Sequence, residues 1–437
     1  MLAPGSLHDS LQDPLLGSIG FLNEVMSRFP DAISFAPGAP HLADLLDTDA
    51  TRSVDVFVEH LRRTRGLDLH GARRLLYEYG PARGLINDLV AAALRTDHGV
   101  DVPPEAVVIT VGAQEAMLLT LRALFRDAAD VLVVAEPCFV GITGAARLLD
   151  IEVVAVPDTD NGPDLDALDA VCARLAARGR RVRAMYVAPD YANPSGTEMD
   201  RASRRRLLGT AEREDFLLLE DNAYGFTKSV ASGHPPALKA MDGGDRVVQI
   251  GTFAKLCFPG ARVGYVVADQ PVRTADGRIR LLADELAALK SMVTVNTSPL
   301  CQAVIGGMLL EHGGSFAELA RERGAFYQGN LTLLLEALER HLCPDGRAPQ
   351  GVSWNRPSGG FFVRMRLPVT VDEALLEVSA SRYGVLWTPM SQFYRGPGGD
   401  RELRLSCSYL DPEGIDEGAA RLAAFLRDIG AHQARTA

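Results

Sequence analysis

Seven short apolar runs separated by helical stretches constrain the fold more than any other feature of this sequence. The runs are 107–110, 131–135, 151–156, 184–188, 216–219, 247–250 and 263–267. Each run is almost continuously hydrophobic rather than alternating, which is typical of strands buried on both faces. Intervening segments such as 115–125 and 202–214 have the apolar spacing of helices. The pattern predicts an α/β fold with a mainly parallel, seven-stranded sheet covered by helices.

This pattern loosens after residue 267. Two long helices are then predicted, followed by strand-like segments and a final helix, at 281–293, 315–341, 360–365, 401–406 and 415–429. We expect a large domain preceded by an N-terminal arm that contains a helix, and followed by a smaller α+β domain. The expected ranges are 1–50 for the arm, with its helix at 15–29, 51–309 for the large domain and 310–437 for the small domain.

Composition excludes several classes of protein. The 437 residues are 47% hydrophobic and 23% charged, an ordinary globular composition. A net charge of −11 without a basic block argues against a nucleic-acid partner. The six cysteines form no metal-binding pattern, so we expect reduced thiols in a cytoplasmic protein. Neither a signal peptide nor an apolar run of about 18 residues is apparent, which predicts a soluble protein with no membrane segment.

A loop rich in glycine and proline joins the last two predicted strands. Residues 251–265 read GTFAKLCFPGARVGY. Lys255 lies between buried strands, where an amine loses its charge readily and can form a Schiff base as a nucleophile. Arg262, further along the loop, suits an anion such as phosphate. The alternative interpretation of Lys255 is a solvated loop residue.

Polar residues follow other predicted strands as well. Asp221 ends the segment FLLLED, and Asn193 follows the strand AMYVAP. Ligands of open α/β sheets bind at the carboxyl ends of the strands, which favours a role in binding. Taken alone, Asp221 has a second interpretation as a helix cap and Asn193 as a turn residue. The glycine turn at 110–114 leads into a helix whose free N–H groups make an anion site.

The segment around Lys255 resembles the lysine signature of fold-type-I pyridoxal-phosphate (PLP) enzymes, specifically the class I/II aminotransferases. The aminoadipate/kynurenine subgroup has the similar pattern GSFSK-x-x-x-PG-x-R-x-G. The resemblance extends from about residue 30 to about residue 430, because the other family motifs follow in the same order. It implies the fold-type-I transferase fold, PLP as the cofactor and no metal.

The resemblance implies a role toward the PLP ring for five residues. Lys255 forms the Schiff base with the cofactor, and Asp221 pairs with the protonated ring nitrogen. Tyr224 and Asn193 contact the phenolic oxygen, while Phe139 stacks on the ring. Ordinary core packing is the alternative for Phe139.

The remaining matched residues bind phosphate or substrate by the same resemblance. Those assigned to the phosphate are Gly112, Ala113, Gln114, Thr252 and Arg262. Tyr79 matches a tyrosine that reaches the phosphate in the neighbouring subunit, which implies an obligatory homodimer with shared active sites. Arg404 matches the arginine that binds the substrate α-carboxylate, and Asn193 is also assigned to substrate binding. Gly38 and Pro40 match the N-terminal loop over the substrate.

Two positions depart from the family pattern. Ala254 stands where serine usually precedes the Schiff-base lysine, so one phosphate hydrogen bond is expected to be lost while Thr252 keeps another. Phe139 stands where tyrosine is common in this subgroup. Both departures are compatible with cofactor binding, and they suggest a specialised member of the family.

The activity implied is transamination between an L-amino acid and a 2-oxo acid through a quinonoid carbanion, with Lys255 as the base. The same carbanion also opens elimination, substitution and cyclisation in specialised biosynthetic enzymes, and the named residues serve either outcome. A third hypothesis is a PLP-sensing regulator, which needs a basic DNA-binding module that residues 1–29 do not supply. The subgroup suggests a sizeable substrate side chain: aminoadipate, lysine-like, aromatic or branched.

Overall fold

The computed structural model describes residues 4–13, 24–227, 234–243 and 245–436. The strands are β1 (Ile33–Ser34), β2 (Val107–Thr110), β3 (Asp130–Glu136), β4 (Val153–Thr159), β5 (Gly162–Pro163), β6 (Arg181–Val187), β7 (Leu217–Asn222), β8 (Val247–Thr252), β9 (Gly264–Val267), β10 (Pro271–Arg273), β11 (Ile279–Leu281), β12 (Ser353–Trp354), β13 (Phe362–Arg366), β14 (Val385–Leu386), β15 (Thr388–Pro389) and β16 (Glu402–Ser406).

Helices alternate with these strands over most of the chain. The α-helices are α1 (24–28), α2 (Leu42–Leu46), α3 (Ala50–Arg65), α4 (Leu69–Tyr77), α5 (Asn87–His98), α6 (Gly112–Leu124), α7 (Val140–Leu148), α8 (Leu165–Ala176), α9 (Arg201–Arg213), α10 (Leu238–Met241), α11 (Phe253–Leu256), α12 (Leu282–Val293), α13 (Pro299–Glu311), α14 (Phe316–Leu342), α15 (Glu373–Val378) and α16 (Pro412–Thr436). Of the predicted helix at 15–29, residues 24–28 are helical, and residues 14–23 lie outside the described part.

The central sheet has the strand order β2-β9-β8-β7-β6-β3-β4-β5. Strands β9 and β5 run antiparallel to their neighbours, and the other six are parallel to one another. The α/β fold and the mainly parallel sheet are confirmed, and all seven predicted strands are present. The predicted strand count is wrong, because Gly162–Pro163 adds an eighth strand at one edge. Two residues are too few to produce an apolar run, which is why the sequence pattern missed this strand.

Local sequence explains where the covering helices begin. Asp164 accepts hydrogen bonds from the N–H groups of Asp166 and Ala167 at 3.0 Å and so caps α8. Asp200 accepts one from Ser203 at 2.7 Å and caps α9 in the same way. All four residues of β2 and the first five of β3 are buried. The core therefore lies on both faces of the sheet, as the continuous apolar runs predict.

A second, antiparallel sheet of order β12-β13-β16-β15 forms the other core with α14 and α16. Helix α14 joins the two cores, since Phe316 packs with the large sheet and Leu338 with the small one. The N-terminal segment belongs to the second core, because β1 pairs with β14 and Phe35 is fully buried there. The domain limits at residues 50 and 309 stay a prediction. Among the described residues, no helix combines the length and apolar character that crossing a membrane requires.

Candidate active site

Lys255 lies at the carboxyl edge of the central sheet, because the chain turns from β8 directly into the one-turn helix α11. Its Nζ donates a hydrogen bond to the carbonyl oxygen of Gly38 at 2.5 Å. Burial, together with the positive charges of Arg404 and Arg262, lowers the pKa of Lys255 to about 8, and Asp221 opposes this shift. A substantial fraction of the amine is therefore neutral near pH 8, as a nucleophile or base requires.

Asp221 lies near the end of β7, the strand beside β8. Its Oδ2 accepts a hydrogen bond from Tyr186 Oη at 2.5 Å. Its Oδ1 is buried and has no hydrogen-bond partner among the described residues. Burial raises the pKa of Asp221 to about 6, while the Tyr186 hydrogen bond and the charge of Lys255 oppose this rise. An unpaired, buried carboxylate oxygen is costly unless a donor reaches it, so this atom is suited to a cationic N–H group of a ligand.

Arg404 projects from β16 of the small sheet toward the large sheet. Its Nη1 donates to Asn193 Oδ1 at 2.7 Å, and its Nη2 donates to the Ala36 carbonyl oxygen at 2.8 Å. The guanidinium carbon lies 4.3 Å from the ring centroid of Phe362 and 5.0 Å from that of Phe393. Burial lowers the pKa of Arg404 to about 10. The arginine is thus held in one orientation at the junction of the two sheets.

The N-terminal loop closes over Tyr224 and the small sheet. A Cβ atom on Gly38 would lie 2.7 Å from the Phe362 ring and 3.9 Å from Tyr224 Oη. Tyr224 packs edge-on against Phe361 and Phe362, with ring centroids 5.1 and 5.4 Å away. Burial raises the pKa of Tyr224, and the charge of Arg404 opposes the rise. The structure therefore brings Gly38 and Tyr224 to the same site as Lys255, and Pro40 is buried beside this loop.

The predicted phosphate turn begins helix α6. Val111 makes no side-chain cap there, and Gly112 has φ 74°. A Cβ atom on Gly112 would lie 2.6 Å from Arg262 Nη2, so only glycine admits the guanidinium so closely. Thr252 Oγ1 accepts a hydrogen bond from Ala254 N–H at 3.1 Å. The start of the helix and the neighbouring arginine are together suited to an anion.

Ala113, Gln114 and Phe139 also meet at this edge of the sheet. A Cβ atom on Gly264 would lie 2.8 Å from the Ala113 nitrogen. Gly141 lies close to both Phe139 and Gln114. A Cβ atom built on Gly141 would be 2.3 Å from the Phe139 ring and 2.4 Å from Gln114 Oε1. A small cleft opens beside Phe139. Its lining includes Phe139, Asp158, Tyr186, Asn193 and Thr197.

Tyr79 is predicted to belong to the site, but within one chain it lies outside this cluster of residues. Its side chain is 88% exposed in the loop after α4.

Two residues of the site, Tyr186 and Thr388, were not predicted from the sequence. Thr388 Oγ1 accepts a hydrogen bond from Arg404 Nη2 at 3.3 Å. Tyr186 carries the only hydroxyl in the run AMYVAP, which was an available signal. Thr388 has no comparable local signal.

These features fit PLP. Asp221 Oδ1 is suited to the protonated ring nitrogen, and the Lys255 amine is suited to the aldehyde carbon. The uncapped start of α6, with Arg262 against Gly112, is suited to the phosphate group. Arg404 suits a carboxylate of the substrate, because a guanidinium binds carboxylates through two parallel hydrogen bonds.

Known proteins agree with this chemistry. Residues 44–422 match the aminotransferase class I and II family. The chain is 48% identical over 426 residues to the (S)-3,5-dihydroxyphenylglycine transaminase of Amycolatopsis orientalis, covering 97% of this chain and 94% of that one.

Two solved structures are similar over almost the whole chain. The α-aminoadipate aminotransferase of Thermus thermophilus, complexed with N-(5′-phosphopyridoxyl)-L-leucine, is 28% identical with a TM-score of 0.76, and the match covers 97% of this chain and all of that one. The kynurenine aminotransferase of Pyrococcus horikoshii is 26% identical with a TM-score of 0.78, and covers 94% of both chains. The cofactor is PLP and the reaction is amino-group transfer. The chain belongs to the class I and II aminotransferases.

Proposed function

We propose that this aminotransferase acts in the cytoplasm on an L-amino acid whose side chain is an aromatic ring at or near Cα, and exchanges its amino group with a 2-oxo acid. The observation that carries the proposal is the meeting of Lys255, Arg404 and Asp221, a weakly basic amine between a buried guanidinium and a buried carboxylate. A reducing compartment is supported by the cysteines, since all six lie in the described part of the chain as free thiols.

Each of these side chains has a distinct task. PLP, when bound, supplies the electron sink that stabilises the negative charge left at Cα by proton removal. Arg404 binds the substrate carboxylate and so orients the Cα–H bond. Lys255 Nζ, with a pKa of about 8, accepts the Cα proton and later returns it. Asp221, ionised above about pH 6, would keep the ring nitrogen of bound PLP protonated through Oδ1, its unpaired oxygen. Asn193 and Tyr224 would bind the phenolic oxygen of the cofactor.

The charges around Lys255 support an uncharged substrate side chain. Among the described residues of one chain, the charged groups that act on Lys255 are Arg404, Arg262 and Asp221. Each of these three groups already has a task toward carboxylate, phosphate or ring nitrogen, so neither arginine is available for a second substrate carboxylate. The rings of Phe139 and Phe362 border the same site. An aromatic side chain also agrees with the 48% identity to the dihydroxyphenylglycine transaminase.

Isotope transfer tests this function directly. The purified enzyme with PLP is given a ¹⁵N-labelled amino acid and an unlabelled 2-oxo acid, and both products are measured by mass spectrometry. We expect label in the acceptor for phenylglycines, with much lower rates for aminoadipate and aspartate. Release of labelled ammonia without labelled acceptor would overturn the transamination, and a preference for aminoadipate would overturn the aromatic substrate.

We also propose a homodimer with shared active sites. Exposed apolar side chains on the segments 77–79 and 292–300 define an apolar patch, and the two segments are close together, because a Cβ atom on Gly80 would lie 3.6 Å from Pro299. Its members, with exposed fractions, are Tyr77 73%, Tyr79 88%, Met292 84%, Val293 55%, Val295 48% and Leu300 42%. Patches of this kind mark interfaces, and a second copy would bring Tyr79 toward the neighbouring phosphate turn.

Subunit complementation tests the shared site. The Lys255→Ala and Tyr79→Ala variants are each expected to be nearly inactive when purified alone. When the two are unfolded and refolded together, mixed dimers contain one site with both residues intact, and activity should return. A mixture with no more activity than the separate variants, together with a monomeric mass in light scattering, would contradict the proposal.

A further inference from the structure

Lys290 is fully buried, although the mechanism above gives it no task. It lies on α12, which packs against α6. Its Nζ donates to Glu115 Oε2 at 2.6 Å and to Thr294 Oγ1 at 2.8 Å. Thr294 in turn donates to Glu115 Oε1 at 2.5 Å. Burial lowers the pKa of Lys290, and the bond and charge of Glu115 oppose this shift.

Glu115 connects this ion pair to the phosphate turn. Its Oε2 also accepts a hydrogen bond from the N–H group of Val111 at 2.6 Å. Val111 is the residue that precedes Gly112 at the start of α6, and it makes no side-chain cap of its own. The carboxylate of Glu115 thus supports the turn at Val111, while Arg262 lies close to Gly112. The side chain of Glu115 is only 6% exposed, so water screens its charge little.

A carboxylate in this position creates an electrostatic conflict. Its hydrogen bond to Val111 fixes the turn, but its negative charge repels any phosphate that the turn binds. Lys290 is in contact with Glu115, and its positive charge neutralises the carboxylate, which water screens little. An uncompensated buried carboxylate would both weaken the turn and oppose the ligand.

We propose that Lys290 and Glu115 are positioning residues for the cofactor phosphate: Glu115 fixes the turn at Val111, and Lys290 cancels the charge that Glu115 brings there. The inference rests on the proposed phosphate role of this turn. It predicts that loss of the ion pair weakens the binding of PLP and not that of pyridoxal, which has the same ring and aldehyde but no phosphate.

The test compares dissociation constants of PLP and pyridoxal for apoenzyme variants at pH 8.5, measured by fluorescence titration. Pyridoxal reports on Lys255 and the ring contacts, so the ratio of the two constants isolates the phosphate. We expect Lys290→Met to weaken PLP binding about tenfold or more with little change for pyridoxal. The double variant Glu115→Gln, Lys290→Met removes the charge as well and should recover most of the preference for PLP.

Lys239→Met is the matched control. Lys239 is also a buried lysine in an ion pair, 2.7 Å from Asp269 Oδ1, and it contacts no part of the turn in the described bonds. Its replacement should lower the thermal stability and leave the ratio unchanged. If Lys290→Met leaves the ratio unchanged, or the double variant recovers nothing, the inference is wrong. If the native enzyme itself has no preference for PLP over pyridoxal, the phosphate role of the turn fails instead.

Discussion

Burial shifts the pKa of Lys255 and that of Lys290 in the same direction, but the charged neighbours of the two lysines give them different chemistry. Burial lowers the pKa of both. Lys290 forms a direct ion pair with Glu115, which favours its charged form. Lys255 instead faces the cations Arg404 and Arg262, and its pKa falls to about 8. Burial alone therefore does not make a reactive lysine; the sign of the neighbouring charges decides between a structural cation and a base.

Removal of each amine is expected to distinguish the two lysines most strongly. Lys255→Ala should lower kcat about a thousandfold or more, because no other described side chain is assigned to carry the Cα proton. Lys290→Met should leave kcat within a few-fold at saturating PLP. Steady-state rates with excess PLP check both values, and circular dichroism verifies folding. Comparable losses of kcat in the two variants would contradict the division of roles.

Changing the one anion that acts on Lys255 is expected to have the next largest effect. Asp221→Asn keeps the shape of the side chain and removes its charge, so the ring nitrogen loses the partner that keeps it protonated. We expect kcat to fall about a hundredfold, a typical loss for one preorganised electrostatic group. The pKa of Lys255 should also fall, since Asp221 raises it. A kcat close to that of the native enzyme would show that Asp221 does not serve the cofactor ring.

The pH dependence of PLP capture reports on the pKa of Lys255. The neutral amine attacks the aldehyde, and its fraction falls tenfold for each pH unit below a pKa of about 8. The rate of capture by the apoenzyme should therefore rise with pH up to about 8 and then level off. Stopped-flow absorbance measures this rate. A rise that continues to pH 10 would indicate an ordinary, solvated lysine.

The smallest effect is expected for the hydroxyl that bonds to Asp221. Tyr186→Phe removes a hydrogen bond to the ionised carboxylate, which should raise the pKa of Asp221 above about 6. The acid limb of the kcat profile should move to higher pH, with a three- to tenfold loss at the optimum. An unchanged acid limb would mean that Tyr186 only packs against its neighbours.

Local sequence predicted the parts of the molecule that depend on short runs of residues. The seven apolar runs became strands, and the strand ends carrying Lys255 and Asp221 lie side by side, since β7 and β8 are neighbours. The bond from Tyr186 to Asp221 was not predicted, because it depends on the pairing of β6 with β7. The same holds for Glu115 and Lys290, which lie on different helices and meet only through packing. The roles assigned to the site residues stay predictions.

Lys255 is the residue proposed to hold the cofactor, and one labelling experiment tests this assignment. The PLP-loaded enzyme is reduced with borohydride, digested and analysed by peptide mass spectrometry. Lysine occurs at only four positions, Lys228, Lys239, Lys255 and Lys290, so the modified peptide identifies the residue without ambiguity. We predict a pyridoxyl group on Lys255 alone. A stoichiometric pyridoxyl group on any of the other three, or on none, would contradict the central claim.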